Sequence, residues 1–169
     1  RFSDGEVTVE IQQNVRARDV FVVQPTCAPA NDNLMELLIM VDALKRASAK
    51  RITVVLPFYG YARQDKKHRG REPISARLVA DMFKTAGADR LICVDLHTDQ
   101  IQGFFDGPVD HMRAQKLLTG YIAENYSDHD MVIVSPDSGR VRIAEKWADS
   151  LGGVPLALIH QTRDPLVPN

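Results

Sequence analysis

Short apolar runs alternate regularly with helical patterns along the chain, and this alternation limits the folds open to it. Apolar runs typical of buried strands cover residues 19–24, 52–56, 91–95, 131–135 and 154–159. Between them, apolar side chains recur at helical spacing over residues 31–44, 73–86, 111–125 and 141–151. Strands that alternate with helices of about ten to fifteen residues indicate βαβ units. The pattern predicts an α/β fold of parallel sheets flanked by helices.

A further strand is predicted near the start of the chain. Residues 6–11 alternate polar and apolar side chains with a period of two. Such alternation is typical of a strand with one face toward water and the other toward the core. We therefore expect a strand there, ahead of the buried ones.

Composition limits the classes of protein to which the chain can belong. Of its 169 residues 44% are hydrophobic, which is enough for a sizeable core. The net charge of −1 gives no basic footprint for nucleic acid, and no apolar run approaches the ~20 residues of a membrane helix. Cys27 and Cys93 lack metal or redox spacing and favour a reduced, cytoplasmic compartment. We expect neither nucleic acid nor a membrane as a partner.

The most informative polar segment is residues 95–110, which follows an apolar run. Ligands bind at the carboxyl edge of a parallel sheet, so side chains at this position are candidate ligands. The candidates are three of its carboxylates and its one imidazole, namely Asp95, Asp106, Asp110 and His97. Such an oxygen-rich set suits Mg²⁺ or Mn²⁺ better than zinc. Taken singly, each could equally be a solvated loop residue, because short motifs carry a false-positive risk.

The whole segment Asp95–Asp110 resembles, almost residue for residue, the divalent-cation signature of ribose-phosphate pyrophosphokinases (PRPP synthetases). The resemblance extends over essentially the full chain. It implies tandem phosphoribosyltransferase-like (type I) domains, the first over residues 1–108 with its start missing and the second opening over 109–169. The chain, which has no starting methionine, is thus expected to be a fragment.

The resemblance also implies a reaction. The family transfers the β,γ-diphosphoryl group of ATP to the C1 hydroxyl of ribose 5-phosphate, which gives PRPP and AMP. The expected cofactor is Mg²⁺ (or Mn²⁺), with ATP and ribose 5-phosphate as substrates. The family commonly forms homohexamers that are activated by phosphate and inhibited by ADP, and Arg16 matches a phosphate-effector arginine.

A basic segment follows another apolar run. Residues 61–71 hold five Arg or Lys side chains in addition to His68. A charge run is commonly only a solvated loop. Its place at the ligand-binding edge, where Arg and Lys can neutralise phosphate oxygens, favours a phosphate site. By the resemblance, the ATP-contacting residues of this segment are Arg63, Gln64, Asp65 and Lys66.

Two shorter motifs acquire a function only through the resemblance. Residues 2–6 would otherwise be read as a turn before a strand. The matching family element contributes to the ATP pocket of a neighbouring subunit, and its residues here are Phe2, Asp4, Gly5 and Glu6. Asp137 lies between a strand and a helix, where an Asp commonly caps the helix. The family uses the matching Asp in metal and substrate binding.

The match to the family fails at residues 159–163. The family has a catalytic lysine and, two residues later, an arginine; here Arg163 is retained, but Gln161 occupies the lysine position. A neutral amide cannot supply the positive charge that phosphoryl transfer requires. The family's acidic Thr-Gly sugar-phosphate loop has no counterpart in the sequence.

Two alternatives therefore stay open beside an active synthetase. One is a catalytically impaired regulatory or assembly subunit of the same enzyme, which Gln161 favours. The other is a phosphoribosyltransferase, which shares the fold but uses PRPP. The segment Asp95–Asp110 counts against this second alternative.

Overall fold

The computed structural model describes residues 2–160. The chain forms two compact units, one up to Arg113 and the other from Ala114 onward. Each unit contains a parallel sheet with associated helices. The α/β fold class predicted from the sequence is therefore confirmed.

The first unit is built on a four-stranded parallel sheet of order β1-β2-β3-β4. Its strands are β1 (Asp19–Val23), β2 (Arg51–Leu56), β3 (Arg90–Val94) and β4 (Val109–Met112). Helix α1 (Ala30–Arg46) connects β1 to β2, and helix α2 (Ser75–Ala86) connects β2 to β3. Because all four strands are parallel, their carboxyl ends lie along one edge of the sheet.

Helices α1 and α2 pack together against this sheet. Their buried residues recur at helical spacing and are Leu34, Leu37, Val41 and Leu44 in α1 and Ala76, Val79, Ala80 and Phe83 in α2. All but Ala76 share one apolar cluster with Val22, Val54, Leu56, Leu91 and Cys93 of the sheet. Full burial of an aliphatic or aromatic side chain stabilises a fold by ~1.5–3 kcal/mol. The cluster therefore holds in place the strands whose ends carry the polar loops.

The strand predicted at residues 6–11 is wrong. In the structure these residues pair with no strand among residues 2–160. The odd-numbered side chains are half-buried and the even-numbered ones are exposed, as the alternation predicts. A period of two reports the surroundings of the side chains and not the hydrogen bonding of the backbone, which explains the difference.

The helix predicted from His111 begins later than expected. Residues 109–112 form β4, which pairs with β3, and helix α3 (Gln115–Tyr126) begins only after it. This strand is short and contains the polar residues Asp110 and His111, so its sequence carries no strand periodicity. It also lies beyond Pro108, where the first domain was expected to end, and the first unit continues to Arg113.

The second unit contains α3, a two-stranded parallel sheet and helix α4 (Val141–Ser150). Its strands are β5 (Ile133–Ser135) and β6 (Leu156–Leu158). The predicted strands and the predicted second helix of this region are confirmed, with ends shifted by one or a few residues. No helix within residues 2–160 is both long enough and apolar enough to span a membrane.

Candidate functional site

Two polar loops leave neighbouring strands at the carboxyl edge of the first sheet. We call residues 57–74, after β2, the basic loop, and residues 95–108, after β3, the acidic loop. The acidic loop includes a short 3₁₀ helix, Asp99–Gly103. Because β2 and β3 are adjacent in the sheet, the predicted phosphate and metal segments start side by side.

Three residues of these loops adopt a left-handed backbone although they are not glycine. They are Tyr61 (φ 64°), Arg71 (φ 67°) and Asp95 (φ 46°). A sparsely populated backbone conformation costs of order 1–3 kcal/mol and persists where the surroundings fix the chain. The hydroxyl of Tyr61 supplies one such restraint, because it donates a hydrogen bond to Oδ1 of Asn31 in α1.

The entrance of the basic loop is anchored on the buried residue Thr26, which follows β1. Its hydroxyl donates to the carbonyl oxygen of Phe58 at 3.0 Å and accepts from the N–H of Gly60 at 2.7 Å. A Cβ atom at Gly60 would lie only 2.6 Å from the carbonyl oxygen of Thr26. The hydroxyl of Tyr59 donates to the carbonyl oxygen of Ala76 at 2.9 Å. The loop backbone is thus fixed against both the end of β1 and the start of α2.

The middle of the basic loop presents Arg63 and Lys66 as exposed cations. Between them, Gln64 is held by α2: its side-chain oxygen accepts from Oγ of Ser75 at 2.5 Å, and its carbonyl oxygen accepts from the N–H of Ala76 at 3.1 Å. Within residues 2–160 no carboxylate pairs with Arg63 or Lys66. A guanidinium and an ammonium on a fixed backbone can both bind phosphate oxygens.

The tip of the basic loop is closed by Glu72. Its Oε2 accepts from the N–H of His68 at 2.7 Å and from the N–H of Arg69 at 3.0 Å. These backbone hydrogen bonds, the one from Arg69 first, hold the pKa of Glu72 below its usual value. The cationic side chains of the tip therefore extend from a defined turn.

Asp65 differs from its neighbours in the basic loop because its side chain is buried, with only 4% exposed. Its Oδ2 accepts hydrogen bonds from the hydroxyl of Thr98 and from Nε2 of Gln100, the latter at 3.0 Å. Both donors belong to the acidic loop. Burial raises the pKa of the Asp65 carboxyl, but hydrogen bonds from Thr98, its own backbone and Gln100, with His97 nearby, outweigh burial and leave the pKa lowered. Asp65 thus lies between the two loops.

The start of the acidic loop has a fixed backbone and exposed side chains. The N–H of Asp95 donates to the carbonyl oxygen of Met112 at 3.0 Å, and the N–H of Leu96 donates to Nε2 of His111 at 2.9 Å. The side chains of Asp95 and His97 are exposed. The two predicted metal donors therefore stand on a backbone that β4 holds.

His111 was not expected to contribute to the site. Its side chain is 4% exposed, and its Nδ1 lies 3.3 Å from Oδ1 of Asp99, which also accepts a hydrogen bond from Arg113. Because Nε2 accepts the N–H of Leu96, we assign the proton of the neutral ring to Nδ1. Burial, and then the charge of Arg113, lower the pKa of His111 even though Asp99 and Asp95 oppose them. The sequence gives no signal for this role, because residues 109–112 show no strand periodicity and His111 was expected to begin a helix.

The predicted metal residues do not form one cluster of protein ligands. Oδ2 of Asp110 lies 2.9 Å from Nε of Arg90 on β3, without the alignment of a hydrogen bond. Asp106 is exposed near the end of the acidic loop. Among residues 2–160, no three His, Cys, Asp or Glu side chains form a group that could hold a metal ion.

The donor chemistry of Asp95 and His97 nevertheless fits Mg²⁺ bound together with a nucleotide. Mg²⁺ usually binds through one or two carboxylates, keeps several waters and takes its other ligands from substrate phosphates. Such a site needs no cluster of three protein ligands. Exposed donors on a fixed loop beside exposed cations are compatible with that arrangement.

In the second unit, Asp137 follows β5 and precedes α4, as the sequence predicts. Its carbonyl oxygen accepts from the hydroxyl of Ser135 at 2.8 Å and from the N–H of Arg140 at 3.3 Å. Its side chain makes no hydrogen bond that caps the short 3₁₀ helix Ser138–Arg140. Helix capping alone could explain an Asp at this position, but the side chain of Asp137 does not cap this helix.

Residues 2–6 form a closed turn. The N–H of Phe2 donates to the carbonyl oxygen of Glu6 at 2.9 Å, and the N–H of Glu6 donates to Oδ1 of Asp4 at 3.2 Å. Gly5 has φ +94°, a conformation that favours glycine. Phe2 is 59% exposed on this turn. The remaining predicted site residues, Gln161 and Arg163, lie outside the described part of the chain.

Comparison with known proteins confirms the family resemblance. The family model for the N-terminal domain of ribose phosphate pyrophosphokinase matches residues 1–87. The chain is 74% identical over 168 residues to ribose-phosphate pyrophosphokinase of Mycobacterium tuberculosis, a match that covers 99% of this chain and 52% of that protein. The corresponding protein of Streptomyces coelicolor is 61% identical, with the same two coverages.

A solved structure gives the same result. The crystal structure of phosphoribosylpyrophosphate synthetase from Mycobacterium smegmatis matches with a TM-score of 0.90 and 76% sequence identity, over 96% of this chain and 55% of that chain. The chain spans about half the length of the relatives it matches. It belongs to the ribose phosphate pyrophosphokinase family.

Proposed function

We propose that the complete protein transfers the β,γ-diphosphoryl group of ATP to the C1 hydroxyl of ribose 5-phosphate in an Mg²⁺-dependent reaction that gives PRPP and AMP. The observation that carries the proposal is the pairing of exposed cations on the basic loop with exposed metal-type donors on the acidic loop, at one sheet edge, in a chain of this family. The fold alone would not suffice, because one fold hosts many reactions.

In this reaction the protein mainly positions the two substrates and stabilises charge. The sugar hydroxyl attacks the β-phosphorus and loses its proton, while the bond between that phosphorus and the oxygen of AMP breaks. Catalysis then depends on holding these atoms in line and on stabilising charge on the phosphoryl oxygens. Arg63 and Lys66 are proposed to bind those oxygens, and Gln64, fixed by Ser75, lines the nucleotide site.

Asp95 and His97 are the residues of the acidic loop proposed to hold Mg²⁺, with Asp106 and Asp110 in the wider acidic segment. Asp137 is proposed, on the family resemblance, to take part in metal and substrate binding. When bound, the ion would neutralise charge on the phosphate oxygens. The turn of residues 2–6 is proposed to complete the ATP pocket of a neighbouring subunit. The same proposal includes a homo-oligomer, hexameric by analogy with the family, and a cytoplasmic location. It also includes activation by phosphate, with Arg16 as the effector residue, and inhibition by ADP.

A second candidate is a regulatory or assembly subunit with little activity of its own, and Gln161 is the observation that favours it. Arg163 provides one positive charge in the proposed catalytic segment, but Gln161 lacks the charge of the family lysine. Loss of one preorganised donor to developing charge costs ~3–4 kcal/mol, or about 10²–10³ in rate. Loss of a full positive charge should cost at least that.

The two candidates are separated by AMP release from ATP and ribose 5-phosphate, measured on the complete protein and on its Gln161→Lys variant. We expect the parent protein to bind Mg²⁺–ATP but to release AMP slowly, and the lysine variant to recover much of the rate. Ordinary turnover by the parent would show that Gln161 does not impair catalysis. Absence of AMP release from both forms, despite ribose 5-phosphate and Mg²⁺ in excess, would contradict the proposed reaction.

A further inference from the structure

Asp65 is poorly placed for the ATP contact that the family resemblance implies. It is the only buried charged residue among residues 2–160, whereas the cations of its loop are exposed. An ionised carboxylate has no proton to donate and would repel phosphate oxygens. Direct contact with the nucleotide would also require the side chain to leave its present partners.

The contacts of Asp65 connect two segments of the chain that are distant in sequence. One carboxylate oxygen accepts from the hydroxyl of Thr98 and from the amide of Gln100. Hydrogen bonds to an ionised acceptor are roughly twice as strong as those between neutral groups. The lowered pKa of Asp65 agrees with an ionised acceptor held between these donors.

The hydrogen bond between Asp65 and Thr98 lies next to the proposed phosphate-binding and metal-binding residues. Asp65 follows Gln64 and precedes Lys66 in the basic loop, and Thr98 follows His97 in the acidic loop. A hydrogen bond between Asp65 and Thr98 therefore sets the distance between the proposed phosphate-binding heads and the proposed metal donor. Misplacement by about 1 Å can cost on the order of 10² in rate.

We infer that Asp65 is a positioning residue, which joins the basic loop to the acidic loop through Thr98 and Gln100 and does not itself contact the nucleotide. The inference rests on the proposed function. In that function, Asp65 holds the proposed phosphate-binding and metal-binding groups at a fixed distance from each other. It assigns to Asp65 a role that acts through other residues.

The test compares four variants of the complete protein: Asp65→Ala, Asp65→Asn, Thr98→Val and the double variant Asp65→Ala/Thr98→Val. Hydrogen exchange of residues 95–103 is measured without ligand, and the dependence of AMP release on Mg²⁺ and ATP is measured beside it. The control is Asp42→Ala, which removes an exposed carboxylate from an ion pair with Arg46 on α1, away from both loops.

We expect Asp65→Ala to speed exchange in residues 95–103 and to lower activity about 10- to 100-fold, the usual loss when an outer partner of a metal ligand is removed. Asp65→Asn should retain most of the activity, because its amide oxygen can accept from the same two donors. The double variant should be no worse than Asp65→Ala, and Asp42→Ala should match the parent.

Three results would overturn the inference. They are unchanged exchange of residues 95–103 in Asp65→Ala, a loss in Asp65→Asn as large as in Asp65→Ala, and additive losses in the double variant. Because exchange is measured without ligand, it decides the inference even if the parent protein releases no AMP and the proposed function fails. If Asp65→Ala does not fold, Asp65→Asn and Thr98→Val must still differ in exchange, with the faster exchange in Thr98→Val.

Discussion

A neutral, buried histidine holds the backbone of the acidic loop from the side of β4. His111 accepts the N–H of Leu96 through Nε2 and faces Asp99 through Nδ1. Asp99 in turn accepts from Arg113. The backbone that carries the exposed donors Asp95 and His97 is therefore fixed by hydrogen bonds to β4 before any ligand binds.

The first prediction concerns this histidine. His111→Leu should lower the free energy of unfolding by ~1–3 kcal/mol, because the buried N–H of Leu96 loses its acceptor. His111→Gln should recover part of that loss, since its amide oxygen can reach the same N–H. Urea unfolding of the complete protein measures both variants. Equal stabilities of the leucine and glutamine variants would show that the hydrogen bond contributes little.

The same residue predicts a dependence on pH. The folded protein holds the pKa of His111 below the ordinary value of 6.5, so the unfolded chain binds the proton first as pH falls. Stability should therefore decline as pH drops below about 6.5 and should level off below the folded pKa. The leucine variant should lack this component. A parent and a leucine variant with identical pH profiles between pH 8 and 5 would contradict the assignment.

The sequence predicts on which loop each of these residues lies, but it does not predict which residue it contacts. Arg63 and His97 lie on strand-end loops, as expected. The bond between Asp65 and Thr98 spans 33 positions and exists because β2 and β3 are neighbours in the sheet. Periodicity reveals that strands exist and carries no information about their order, so this contact could not be foreseen.

At the scale of elements, the geometry of the basic loop depends on a close backbone approach. Gly60 lies against Thr26, whose hydroxyl bonds to two backbone groups of the loop. A side chain at Gly60 would meet a backbone oxygen at 2.6 Å, and this atom cannot move without shifting the end of β1. The basic loop is thus tied to the sheet at its first residues.

Gly60→Ala should therefore destabilise the protein by about 1–3 kcal/mol, the usual cost of inserting a methyl group into a packed site. Gly70→Ala is a matched control in the same loop, because a Cβ there would meet nothing within 4 Å. The control should be neutral or stabilising by up to about 1 kcal/mol, through the lower entropy of its unfolded chain. Thermal or urea unfolding compares the pair, and equal effects would refute the close contact.

Strands and helices were predicted correctly where their formation depends on burial of side chains. They were predicted wrongly where formation depends on pairing with another strand. Apolar runs and helical spacing report burial, which is why β1 to β3 and α1, α2 and α4 were predicted within a few residues. The pairing of β4 with β3 forms a strand from a partly polar tetrapeptide. Residues 6–11 lie outside any strand because no strand of the described residues 2–160 pairs with them. Both outcomes depend on tertiary neighbours.

At the scale of the whole molecule, the described residues hold most of the proposed nucleotide and metal groups. The chain spans about half of its relatives, so the complete protein is the form in which activity and assembly can be measured. The turn of residues 2–6 leaves Phe2 exposed and is the element proposed to reach a neighbouring subunit. A shared site requires a symmetric oligomer in which each pocket combines residues of two chains.

The last prediction tests the shared site by mixing two impaired variants of the complete protein, Phe2→Ala and Arg63→Ala, and reassembling them together. If each pocket takes Arg63 from one chain and Phe2 from its neighbour, random reassembly in equal amounts leaves about one pocket in four with both residues intact. The mixture should then show up to about a quarter of the parent rate of AMP release, although neither variant alone is active. Mixing Phe2→Ala with a Phe2→Ala/Arg63→Ala double variant is the control, because no pocket can then contain an intact Phe2. No recovery in the first mixture, with sedimentation showing that mixed oligomers form, would mean that both residues act within one chain.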